Sequence, residues 1–280
     1  MIIHDDGINL LGEGPLWHPE RGELFWFDIL GRRLHRKGQS WRFDRFVSAA
    51  GWVDRDTLLI ASDRALSVFS LTSGSLDDIC PLEADVPGNR CNDGRADPQG
   101  GFWIGTMAIH QPAKTGAFWR YYKGELRRII APMAITNAAC FAPDGTTAYF
   151  ADTFEQVIRR IRLDRDGWPV GESEIHVDLR GTEYFPDGAV VDAEGKLWNA
   201  QWGAGRIAAY DLEGREVTAV PVPAAQSTCP AFGGADLSTL FCTSAAAGLS
   251  QDHLADHPDS GRTFATTVPF RGQAEHRVLL

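Results

Sequence analysis

Four oxygen-bearing side chains stand six positions ahead of a turn: Glu13 before Pro19, Asn92 before Pro98, Asn137 before Pro143 and Asp187 before Ala193. The same count from Asp54 reaches Ser48, and in the last comparable segment it falls near Thr228 or Cys229. On equivalent strands of a closed β ring, one offset means one depth, so these side chains are expected to converge on the axis. Two carboxylates and two amides aimed at one place are costly unless something binds there, because like charges repel and desolvation adds to the cost. A divalent cation would remove that cost. Glu13 and Asp187 offset its charge, and Asn137 adds a neutral oxygen. All-oxygen ligation suits Ca²⁺, Mg²⁺ or Mn²⁺ and does not exclude Fe²⁺ or Zn²⁺. Three protein ligands leave positions open for water and substrate. Turn capping is the competing account for any one of these residues; the shared offset favours a common site. Arg90, two residues before Asn92, lies on the same side of the chain and is placed to hold oxygens of a polyhydroxylated substrate. Asp93 should face away and reads as a structural hydrogen-bonding residue.

The elements that position these residues recur. Six segments share one shape, a short strand, an Asp/Gly/Pro turn and an apolar return strand: Pro15–Ile29, Ala49–Ser62, Gly94–Met107, Ala138–Thr153, Ala189–Trp202 and Pro230–Ser244. Their turns fall near Glu20, Arg55, Gln99, Asp144, Glu194 and Asp236, spaced 35 to 50 residues apart. A more polar strand pair follows, as in Arg206–Tyr210 with Glu216–Val222. Four strands per unit at this period predict an all-β fold, a six-bladed β-propeller over residues 1–280 with a metal site in its central channel. Met1–Leu10, Thr263–Phe270 or both should complete a shared blade and close the ring. Residues 245–259 read as a loop or short helix, and the tryptophans of the return strands read as core.

A net charge of −10 with no basic run argues against nucleic acid as a partner. The sequence has no apolar run long enough to span a bilayer and no basic start of a leader segment, so no membrane association is expected. Five cysteines without a CxxC pair suit buried thiols in a reducing cytoplasm. There is no GxSxG, P-loop, dinucleotide fingerprint or HExxH; His253 and His257 stand four apart in the least strand-like stretch and read as surface.

The segments Leu11–Asp28, Arg90–Met107, Ile135–Thr153 and Pro186–Ile207, with the Phe232-Gly233-Gly234 turn, resemble the senescence-marker-protein/gluconolactonase/luciferin-regenerating family across nearly the whole chain. The resemblance implies a six-bladed propeller with one divalent metal held by Glu13, Asn137 and Asp187. It also implies substrate contacts from Arg90 and Asn92, Asp187 as general base, and hydrolysis of sugar lactones. The AQWGAGRI segment looks most like bacterial sugar-acid lactonases. Two departures stand out. Ala138 occupies a position where the family usually has glycine, so the backbone there is expected to differ. The lid-like segment 108–116 is short.

A lactone is a cyclic ester, and its opening needs a nucleophilic water and a stabilised oxyanion. A bound divalent metal supplies both, with Asp187 taking a proton. The expected activity is opening of an aldonolactone to the free sugar acid by a monomer or weak homo-oligomer acting on a small-molecule substrate. The alternatives are a phosphotriesterase or non-sugar lactonase on the same scaffold, and a non-enzymatic Ca²⁺-binding propeller.

Overall fold

The computed structural model describes residues 1–111 and 113–280. The described residues form six four-stranded antiparallel sheets, arranged as six blades. The innermost strands are Gly12–His18, Val47–Asp54, Asn89–Ala96, Thr136–Phe141, Phe185–Val191 and Gln226–Gly233. Each touches the next, and the last returns to the first, so the six enclose a central channel.

Residue size and polarity follow distance from the axis. Inner strands are rich in Gly, Ala and Cys, which allows close approach near the channel. The second strands carry the bulk, with Trp26, Trp103 and Trp198 fully buried. These side chains fill the wedges between blades; between blades four and five, Tyr149, Ala151 and Ile158 meet Val191, Leu197 and Ala208. Outer strands are half exposed and charged. Glu125–Met133, for example, presents Glu125, Arg127 and Arg128 outward, as an unpaired sheet edge requires.

The N-terminal strand Ile2–Asp5 pairs antiparallel with Thr263–Thr267, with Ile2 opposite Ala265. The sixth blade thus joins both ends of the chain, as the sequence reading expects. Within 245–259, Gln251–Asp256 forms a single helical turn or so, capped by the Ser250 hydroxyl accepting from His253 N at 3.2 Å. No helix among the described residues is long and apolar enough to cross a membrane. All five cysteines are free, and four are buried.

The C-terminal tail has no counterpart in the repeat. It crosses the end of the channel where the inner strands finish. Gln273 Nε2 donates to Phe141 O and Val191 O at 3.1 and 3.0 Å, and Val278 N donates to Trp52 O at 2.9 Å. Val278 is buried beside Ala96 and Phe102. Arg95, on the inner strand of blade three, forms a buried ion pair with Glu275 of the tail. Removing one partner of such a pair leaves the other charge buried and uncompensated. Glu275→Ala is therefore expected to lower unfolding free energy by about 3–5 kcal/mol in a urea titration. A loss below about 1 kcal/mol would show that the tail does not secure this end of the ring.

Candidate metal and substrate site

Each inner strand breaks register with its neighbour near its start. In blade one, Glu13 pairs with Phe27 and Leu16 with Phe25, so Gly14 and Pro15 together oppose Trp26. Blades three, four, five and six repeat this two-against-one bulge, and blade two has a single extra residue at Ser48. A bulge bends the strand and re-aims its side chains, which turns the ring of strand starts into a ring of polar groups. The ladder also refines the common offset. Glu13 and Asn137 are the last paired residues before their bulges, whereas Asn92 and Asp187 are the first residues within theirs. All four still line one cavity, because the bulge absorbs the one-residue difference.

The bulges explain two local sequence choices. Gly14 has φ +51, and a Cβ there would lie 2.2 Å from the Ser48 carbonyl oxygen. Ala138 follows Asn137 as Gly14 follows Glu13, and it too is left-handed, with φ 59. The altered backbone expected at Ala138 is not found: the bulge imposes the glycine-like conformation on an alanine, at a strain of about 1–2 kcal/mol.

Glu13, Asn92, Asn137 and Asp187 are all buried, and so is Arg90. Glu13 Oε2 accepts from Gly14 N at 3.0 Å. Its carboxyl lines the same cavity as the Asp187 carboxyl, near enough for each to affect the other's ionisation. Burial and the charge of nearby Asp93 push Glu13 up to about 8. Burial, Glu13 and Asp93 push Asp187 well above the usual carboxylate range. Asp93 itself points away from the cavity and accepts from Ala139 N at 2.7 Å, the structural role read from the sequence. Burial pulls the Arg90 guanidinium down. Its Nη1 donates to Asn92 Oδ1 at 2.7 Å and to Cys91 O at 2.8 Å. Asn92 Nδ2 donates to Asn137 Oδ1 at 3.1 Å.

These groups form one end of a cavity of about 420 Å³. Its walls are apolar: Leu11, Met107, Ile135, Phe154, Phe185 and Trp202. Two of the wall loops are held by matching aspartates at the ends of second strands. Asp28 accepts from Leu10 N and Leu11 N, and Asp152 from Ala134 N and Ile135 N. Trp202 lines this cavity, which corrects its reading as core; it ends a return strand and so reaches the channel mouth. Thr153 and Gln111 also line the cavity; Gln111 belongs to the lid-like segment 108–116, and Thr153 had no sequence signal. Within the lid-like segment 108–116, Pro112 lies outside the described residues. Ser48 and Thr228, at the looser offsets, do not line the cavity; Thr228 Oγ1 donates to Gly12 O at 2.6 Å and ties blade six to blade one.

Among the described residues, no three His, Cys, Asp or Glu side chains converge as a metal cluster. The donor set here is two carboxylates supplemented by an amide oxygen. Asn137 presents that oxygen because its Nδ2 is engaged by Thr153 Oγ1 at 2.8 Å. Two adjoining buried carboxyls whose ionisation is disfavoured, with a neutral oxygen beside them, fit a hard divalent cation.

The fold and this site define a class: six-bladed propellers whose inner-strand bulges gather acidic and amide side chains in the channel. The chain belongs to the SMP-30/gluconolactonase/LRE-like family, whose model matches residues 11–246. It is 36% identical over 285 residues to L-arabinolactonase of Azospirillum brasilense, spanning 97% of this chain and 93% of that protein. It is 31% identical over 274 residues to 6-deoxy-6-sulfogluconolactonase of Pseudomonas putida, spanning 95% and 94%. A solved structure of a calcium-binding protein, regucalcin, from Agrobacterium tumefaciens superposes with TM-score 0.97 at 39% identity, over 99% of this chain and 97% of that one.

The acid pair makes a signed prediction. Carboxyls whose pKa rises on folding contribute stability that is present below about pH 4. That stability is lost as the pH rises through about 8. Chelator-treated protein should therefore melt at lower temperature at pH 8 than at pH 5, and saturating Ca²⁺ should raise the melting temperature more at pH 8. Equal shifts at both pH values would contradict a cation binding the ionised pair.

Proposed function

We propose that this chain is a metal-dependent sugar lactonase that opens an aldonolactone to the free sugar acid. The observation that carries the reading is the convergence of Glu13, Asn137 and Asp187 with Arg90 and Asn92 in one cavity. Lactonase relatives aligned over nearly the whole chain support it. Glu13, Asn137 and Asp187 would hold one divalent ion through oxygen, and the relative described as calcium-binding favours Ca²⁺. When bound, that ion supplies Lewis acidity toward the lactone carbonyl and acidifies water at the site.

The chain's own residues then have distinct tasks. Asp187 would accept the proton of the attacking water; burial and the neighbouring carboxylates Glu13 and Asp93 raise its affinity for a proton. Arg90 keeps guanidinium N–H groups beyond those used on Asn92 and Cys91, and these would orient substrate oxygens by charge-assisted hydrogen bonds. Asn92 would share in that contact. The apolar walls would pack against the C–H faces of the sugar ring and limit water at the reacting carbon, with Phe154 and Phe185 at the exposed mouth. Five free thiols suit a reducing compartment, and a cytoplasmic site of action is part of the proposal.

The test uses chelator-stripped protein reloaded with a divalent ion, and acid release from pentono- and hexonolactones corrected for spontaneous opening. Asp187→Asn should lower kcat/KM by about 10²–10⁴-fold. Arg90→Met should act mainly on substrate binding, raising KM by about 10–100-fold, the value of one or two charge-assisted hydrogen bonds. Turnover by Asp187→Asn close to wild type, or lack of turnover by the wild type with any divalent ion, would overturn the reading.

A further inference from the structure

We propose that Thr153 is a positioning residue for this site: its hydroxyl fixes which end of the Asn137 amide faces the cavity and ties that amide to the strand carrying Asp187. The inference rests on Asn137 being a cation ligand, as in the function proposed above.

Thr153 opens a short 3-10 turn, Thr153–Glu155, immediately after the second strand of blade four. It is held from both sides. Its own N–H donates to Ile135 O at 3.0 Å, and Asp152 before it anchors Ala134 N, Ile135 N and Phe154 N. The side chain is buried and lines the cavity. A threonine hydroxyl has one proton to give. Here it goes to Pro186 O at 2.8 Å, the carbonyl of the peptide joined to Asp187. Toward Asn137 the oxygen can then only accept, so the amide atom facing it at 2.8 Å must be Nδ2. Oδ1 is thereby placed on the cavity side.

The same polarity is imposed from the opposite end. A guanidinium has no acceptor, so the Asn92 atom facing Arg90 Nη1 at 2.7 Å must be Oδ1. Asn92 Nδ2 then donates to Thr136 O at 2.8 Å and to Asn137 Oδ1 at 3.1 Å. A single directed chain results: Arg90 to Asn92, Asn92 to Asn137, Asn137 to Thr153, Thr153 to Pro186. One end holds only donors and the other only an acceptor, so neither amide can flip without breaking the chain. Linked donors of this kind also polarise one another. It runs from blade three through blade four to blade five and couples the Asn137 oxygen to the backbone of Asp187. Without the Thr153 hydroxyl, Asn137 Nδ2 and Pro186 O lose their partner. Only the 3.1 Å bond from Asn92 Nδ2 then holds the Asn137 oxygen in place, so the amide turns its NH₂ more readily toward the cation position, where a donor repels.

The test measures divalent-ion affinity by calorimetry on chelator-stripped wild type, Thr153→Val and Thr153→Ser, with Ca²⁺ and Mn²⁺ as probes. Thr153→Val keeps the shape and removes the hydroxyl. It should weaken binding by roughly 10–100-fold, the usual effect of losing a group that orients a metal ligand. Thr153→Ser restores the hydroxyl and should bind within about threefold of wild type, whatever either change does to the melting temperature. If Thr153→Val does not fold, Thr153→Ala replaces it, with a loss of at least about tenfold expected. Unchanged affinity in the hydroxyl-free variant, or a loss in Thr153→Ser as large as in Thr153→Val, would overturn the positioning role while leaving the metal reading intact. A wild type that binds neither ion would overturn both.

Discussion

Two carboxyl groups, Glu13 from blade one and Asp187 from blade five, line one cavity in the channel, near enough for each to affect the other's ionisation. Both are buried, and their ionisation is mutually unfavourable. A chain that holds such a pair pays in stability unless a proton or a cation joins it. The rest of the molecule can be understood as the scaffold that keeps them together. Closure of the sixth blade by Ile2–Asp5 stops the ring from opening, and the tail braces the far end through Arg95 and Glu275. The Asp28 and Asp152 anchors fix the loops that lead into the strands bearing Glu13 and Asn137.

The bulges are where fold becomes chemistry. An unbroken inner strand would send alternate side chains into the channel and into the neighbouring blade. Inserting two residues against one shifts that alternation at the mouth of the channel and directs Glu13, Asn92, Asn137 and Asp187 to one place. The left-handed conformation falls on the residue after the cavity-lining side chain, which is Gly14 in blade one and Ala138 in blade four. Close packing of the ring adds a second restriction: Gly188, next to Asp187, leaves no room for a Cβ against Cys229 Sγ of the adjacent blade, 2.3 Å away.

Much of this was legible in the sequence, because blades repeat. The turns could be aligned, a common offset could be counted, and that count reached Glu13, Asn92, Asn137 and Asp187. Ring closure followed from the lone strand-like runs at both ends. What the count could not show was the bulge itself, since an insertion inside a strand leaves no periodic trace when each blade carries it. Thr153 was missed, and Gln111 was not singled out within the lid-like segment, because they reach the cavity from a turn and a loop, through contacts with no fixed spacing. Trp202 was assigned to the core because aromatic character alone does not separate a wedge between blades from the wall of a channel mouth. The tail was missed because Arg95 and Glu275 are 180 residues apart and belong to no repeat.

The most direct measurement is anomalous diffraction from crystals grown with Mn²⁺ after chelator treatment. A single strong peak is expected in the channel, about 2.0–2.6 Å from carboxylate oxygens of Glu13 and Asp187 and from Asn137 Oδ1. Ordered crystals with an occupied Mn²⁺ elsewhere, or with no peak between these three side chains, would contradict a cation at the centre of this propeller.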